Sequence, residues 1–85
     1  MAYQVQVAPA AARQLSKFDP PVQRRLVAAM ETLASNPRPP GVSKIQGEEN
    51  LWRIRTGDYR IVYAVYDKRL VVLVVAFGHR REIYR

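Results

Sequence analysis

The chain has 85 residues, 48% of them hydrophobic, no cysteine, and a formal net charge of +7. A chain this short buries only roughly 60% of its extended surface and supports one core, so residues 1–85 are read as a single domain. The absence of cysteine excludes disulfides, thiolate nucleophiles and zinc-thiolate sites. No apolar run approaches the roughly 20 residues that span a bilayer, and Met1 to Val7 has neither the basic stretch nor the apolar run of a signal peptide, which predicts a soluble, cytoplasmic protein without a membrane partner.

Tyr3, Val5 and Val7 alternate with polar or small residues, the period of a half-buried strand. Ala10 to Lys17 follows Pro9 and is rich in helix formers, so a short helix is expected there. Asp19 precedes Pro20 and Pro21, the pattern of an N-cap followed by prolines tolerated only in a first turn. In the second helix Val22, Leu26, Ala29, Met30 and Leu33 recur at spacings of three and four, a stripe that faces the core. Asn36-Pro37-Arg38-Pro39-Pro40-Gly41 cannot continue a helix and reads as a stiff loop. Leu51 to Thr56, Tyr59 to Tyr66 and Leu70 to Phe77 then form a meander, and Glu82 to Tyr84 is a last short strand. The predicted order is βααββββ, an α+β arrangement with two N-terminal helices packed on one face of an antiparallel sheet.

The excess positive charge suits a polyanionic partner, either nucleic acid or an acidic protein. Its arrangement is more informative. A two-residue turn at Gly57-Asp58, of type I′ or II′, places Thr56 opposite Tyr59, Arg55 opposite Arg60 and Arg53 opposite Val62. Trp52, Ile54, Ile61 and Tyr63 then share the face that the helices cover, while Arg53, Arg55 and Arg60 share the other. Like charges directly across a ladder are mildly destabilising, so the cluster makes physical sense with an anion above it. A guanidinium fork is well shaped to hold phosphate oxygens. The bland reading of the same arginines is the solvated face of a half-exposed sheet.

Gly78-His79-Arg80-Arg81-Glu82-Ile83-Tyr84-Arg85 adds a second basic group. Imidazole exchanges protons near neutrality, and a tyrosine can stack on a base or transfer a proton. The acids Glu48, Glu49, Asp58, Asp67 and Glu82 are scattered, and the chain has a single histidine, so no metal site is expected. No Gly-rich phosphate loop or nucleophile elbow is present, and no cofactor is expected.

Through Asn36-Pro37-Arg38, Lys44-Ile45-Gln46-Gly47, Trp52-Arg53-Ile54-Arg55, Gly57-Asp58-Tyr59-Arg60-Ile61-Val62-Tyr63 and Gly78-His79-Arg80-Arg81-Glu82-Ile83-Tyr84, the chain closely resembles the RelE toxins of the RelE/ParE superfamily of type II toxin–antitoxin systems. The resemblance implies a five-stranded antiparallel sheet with two helices packed on it. It also implies a metal-independent endoribonuclease that cuts messenger RNA in the A site of the 70S ribosome and arrests translation. In that reaction the ribose 2′-OH attacks the adjacent phosphate and leaves a cyclic phosphate. Carried over by position, Arg60 and Arg80 match phosphate-binding arginines, Tyr84 the base-stacking or proton-transfer tyrosine, and His79 is assigned as acid. Arg53 and Arg55 match basic residues that orient RNA and stabilise charge, and Arg81 and Lys44 are expected to join them in binding RNA or phosphate. Some relatives carry lysine at the places of Arg53 and Arg55, and arginine, unlike lysine, cannot act as a base. An acidic antitoxin is the implied protein partner. The alternative within the superfamily is a ParE-like inhibitor of DNA gyrase without nuclease activity, and a plain nucleic-acid-binding module is a third reading.

Overall fold

A computed structural model describes residues 2–79. It contains β1 (Gln4–Val7), α1 (Pro9–Ser16), α2 (Pro20–Thr32), β2 (Ser43–Lys44), β3 (Leu51–Thr56), β4 (Tyr59–Tyr66) and β5 (Val71–His79). The strands form one sheet in the order β1-β5-β4-β3-β2. The order βααββββ is the one expected, with a difference in which segments supply it. Ser43–Lys44 is a strand too short for any periodicity to reveal, and the expected strand at Glu82 to Tyr84 lies outside the described residues.

One pairing departs from the antiparallel expectation. β1 runs parallel to β5, with Val5 beside Val72 and Val7 beside Val74, whereas every other pair is antiparallel. Parallel neighbours need a long crossover, and here the helices and three strands supply it. Val5 and Val7 thereby join the helix-covered side.

Both helices begin on proline, whose fixed φ and missing N–H suit a first turn. Asp19 does occupy the N-cap position of α2, but its side chain makes no capping hydrogen bond. Pro20 and Pro21 explain this, because proline at the second helical position removes one of the two N–H groups that an N-cap carboxylate normally accepts from. The backbone carbonyl of Asp19 accepts from Gln23 N instead, at 2.9 Å. Gln23 Nε2 donates to the Phe18 carbonyl at 2.8 Å and ties the two helices together.

Leu26 and Leu33 of the predicted stripe are fully buried, and Val22, Ala29 and Met30 pack beside them. They meet Ile54, Ile61, Tyr63, Val65, Val72, Val74 and Phe77 from the sheet. At Val62/Tyr63 the β4–β5 register slips: Val62 faces Ala76 while Tyr63 faces Val74, which leaves Val75 as the extra residue of a bulge. The bulge reverses the side-chain parity of β5. Without it, the alternation that buries Val72 and Val74 would turn Phe77 away from the core; with it, Phe77 and His79 point to the helical side and Gly78 lies beside Arg60.

The loop between α2 and β2 is fastened at several points. Tyr63 Oη donates to the Pro37 carbonyl at 2.6 Å in a buried setting, and burial pushes the Tyr63 phenol up to about 12. Arg38 donates twice to Asp67, at 3.1 and 2.9 Å, and Tyr3 Oη donates to the same carboxylate at 2.6 Å. The Arg38 guanidinium also lies 4.9 Å over the Trp52 ring. The Arg38 bonds foremost, then that of Tyr3, hold the Asp67 carboxyl down at about 2. A depressed folded-state pKa contributes stability above the unfolded value, and that contribution is lost as pH falls through the folded one. Asp67→Asn is therefore expected to melt below the wild type near neutral pH, with the gap closing as the pH drops from about 4 towards about 2; parallel thermal melts across that range check it.

Candidate functional site

The hairpin joining β3 to β4 turns on Gly57, whose φ is +63°, while Asp58 keeps a negative φ. Positive φ at the first central position alone is the signature of type II′, one of the two expected types, and its twist matches that of the flanking strands. The ladder beyond it is the predicted one, with Thr56 facing Tyr59, Arg55 facing Arg60 and Arg53 facing Val62. Arg53, Arg55 and Arg60 consequently stand together on the face away from the helices.

On the outer side of Arg53 the next residue across the ladder is Ser43 of β2. Val42 N donates to the Pro39 carbonyl at 3.1 Å and Gly41 has φ +88°, so Pro39-Pro40-Gly41-Val42 is a type II turn with proline and glycine at its two central positions. This turn delivers the chain into β2 at the edge of the arginine cluster. Gly41, Ser43, Arg53, Arg55 and Arg60 line a shallow cleft of about 140 Å³. Pockets for drug-sized ligands start at roughly 300 Å³, so this one is sized for a phosphodiester group and its sugar rather than a whole cofactor.

Exposure is graded across the three arginines. Arg55 is exposed, Arg53 half-buried, and Arg60, on the central strand, only 5% exposed. A guanidinium held in such a low-dielectric position interacts more strongly with an incoming anion than the same group in water. Arg60 has Arg55 on one side of the ladder and Gly78 on the other. The neighbouring position on β5 thus adds no side chain above the sheet.

The structure separates two other predicted residues from this cluster. Lys44 faces Trp52, on the helical side, where its Nζ donates to the Glu49 carbonyl at 2.8 Å and lies 5.9 Å over the indole. His79 faces Tyr59, also on the helical side, with ring centroids 5.5 Å apart in an edge-to-face contact, and Phe18 meets Tyr59 in the same way at 5.4 Å. The bulge at Val75 is what carries His79 there. Arg80, Arg81 and Tyr84 lie outside the described residues. Gly41 and Ser43 were not among the predicted site residues; the Pro-Pro-Gly turn signal was present in the sequence, but the strand that follows it was not.

No helix among the described residues is long and apolar enough to cross a membrane. The sequence model of the ParE toxin family, described as the ParE toxin of the type II toxin–antitoxin system parDE, matches residues 5–84. An Escherichia coli protein described as a RelE-like toxin is 32% identical over 84 residues, which covers 96% of this chain and 87% of that one. Among solved structures, the RelE–RelB complex of Pyrococcus horikoshii contains a chain 28% identical with a TM-score of 0.82, covering 96% of this chain and 99% of that one. The toxin–antitoxin complex RelBE2 of Mycobacterium tuberculosis shares the fold at a TM-score of 0.86 and 24% identity, covering 96% and 95% of the two chains. With the family model matching residues 5–84 and its sheet and helical pair shared with solved relatives, the chain belongs to the RelE/ParE superfamily of type II toxin–antitoxin toxins.

Proposed function

We propose that this toxin is a ribosome-dependent endoribonuclease that cleaves messenger RNA in the A site by attack of a ribose 2′-OH on the adjacent phosphate. The observation that carries this reading is the arginine cluster: three guanidinium groups brought to one sheet face by the register, two of them directly opposed, around a cleft sized for a phosphodiester. Internal attack builds extra negative charge on the phosphoryl oxygens, and donors fixed before the reaction stabilise that charge without reorganisation. Arg60 is the best placed of the three, being the most desolvated. In this reading Arg53 and Arg55 hold the RNA backbone, and Arg80 and Arg81 bind phosphate. Tyr84 stacks on a base or takes the proton. His79 and Lys44 stand on the helical side of the sheet and take no part in the cleft.

The attacking group and the electrophile both belong to the RNA, so the route consumes no cofactor. A ribosome that presents one codon in extended form supplies the orientation that an 85-residue protein has little surface to impose. The partner that restrains the toxin is a cognate antitoxin, as in the RelE–RelB complexes that this chain resembles. Charge complementarity with an acidic segment would make that association fast.

Primer extension on a message in a purified translation system, with and without ribosomes, tests the proposal. Cuts within codons that appear only when ribosomes are present are the expected result. The match to the ParE family keeps one second reading in place, inhibition of DNA gyrase. Intact message together with loss of supercoiling in a gyrase assay would replace the nuclease by that activity.

A further inference from the structure

The cleft holds one side chain that cannot be explained as a phosphate ligand of the arginine kind. Ser43 is exposed, sits on the two-residue strand β2 and is the ladder partner of Arg53, which brings its Cβ to within about 5 Å of the arginine's on the same face. Its hydroxyl makes no hydrogen bond among the described residues, and of the side chains lining the cleft it alone can accept one, because a guanidinium only donates. That asymmetry matters for a ribose 2′-OH. An arginine can reach this hydroxyl only at its oxygen lone pairs, one of which must stay free to attack phosphorus. An acceptor instead engages the O–H, turning the hydrogen away from the phosphate and leaving a lone pair facing it.

We infer that Ser43 is the ribose-reading residue of the cleft: its Oγ accepts a hydrogen bond from the 2′-OH of the attacking nucleotide, orients that hydroxyl and distinguishes RNA from DNA. The inference rests on the nuclease reading above. Ser43 is no base, since a neutral alcohol does not take up a second proton at neutral pH; the 2′-OH proton passes to Tyr84 or to water once the O–P bond begins to form. The type II turn at Pro39 to Val42 leads directly into the strand that sets Ser43 beside Arg53. The specificity of the site is thereby divided, with the arginines answering to phosphate and the serine to sugar.

The test uses ribosomes programmed with messages that carry, at each A-site nucleotide in turn, either a 2′-amino group, which still donates a hydrogen bond, or a 2′-fluoro group, which does not. Neither is cleaved, so the affinity of labelled toxin is read at equilibrium. Wild type is expected to prefer the 2′-amino message at one of the three positions by about three- to ten-fold, the worth of one hydrogen bond. Ser43→Ala should bind both messages alike, and Ser43→Thr should restore the preference. Thermal melts confirm that these exposed edge-strand variants remain folded. An unchanged preference in Ser43→Ala, no preference in the wild type, or an equal loss of affinity for both messages overturns the inference. Cleavage of unmodified message by the wild type, run alongside, separates the two failures: cutting without a serine-dependent preference removes only the ribose contact, and no cutting removes the nuclease reading together with it.

Discussion

Arg60→Ala is expected to lower the single-turnover rate of message cleavage on the ribosome by about 10²–10³-fold, the usual loss when one preorganised donor to a transition-state charge is removed. The reason is position. Arg60 stands on the central strand and is only 5% exposed, so water competes poorly for its donors. Arg55 and Arg53, more exposed, are expected to cost less when truncated, and mainly through weaker binding that also becomes less salt-sensitive. Arg60→Lys tests whether charge or the planar fork is needed. Lysine keeps the charge but loses the paired donors, so an intermediate rate is expected. Near wild-type cleavage by a folded Arg60→Ala protein would remove Arg60 from the chemistry.

The largest effect on stability is expected at Leu26. It is fully buried on α2, at the centre of the layer between helices and sheet, where it belongs to the cluster containing Ile54, Ile61, Tyr63 and Phe77. Leu26→Ala removes apolar burial and leaves a cavity that a packed sheet cannot collapse to fill, at about 2–5 kcal/mol. Domains of this kind are stable by only about 5–15 kcal/mol, so the variant should show a much lower denaturant midpoint with an unchanged slope. Cleavage per folded molecule should be retained, since the arginine face lies across the sheet from the cavity. The two substitutions thus separate fold from chemistry. A loss of less than about 1 kcal/mol at Leu26 would mean that the helical layer contributes little to stability.

The arginine face was legible in the sequence because a two-residue turn leaves a hairpin no freedom of register. Once Gly57-Asp58 was recognised, the pairing of Arg55 with Arg60 followed, as did the burial of Ile54, Ile61 and Tyr63. The side of the sheet on which His79 stands was not legible, for the converse reason. Val71 to Phe77 is almost continuously apolar, so nothing in it marks Val75 as a bulge, and a single inserted residue moves everything after it to the other side. Ser43–Lys44 is too short to show a period, and its role as the wall of the cleft depends on Arg53 lying beside it in three dimensions. The parallel placement of β1 and the contacts joining Tyr3, Arg38 and Asp67 were hidden because they link residues 29 to 67 positions apart, where local patterns carry no information. Asp19 shows a subtler limit: the residue type marked the helix start correctly, while the prolines behind it removed the capping bond that the type usually makes.

In the proposed reaction an arginine cleft promotes attack of the RNA's own 2′-OH on the neighbouring phosphate. Mass spectrometry of the upstream fragment released from a ribosome-bound message tests that claim most directly. A 2′,3′-cyclic phosphate at its end, or the monophosphate formed when that ring opens, paired with a 5′-hydroxyl on the downstream fragment, is the predicted result. A 3′-hydroxyl upstream and a 5′-phosphate downstream would show that water and not the ribose attacked, and would contradict the mechanism.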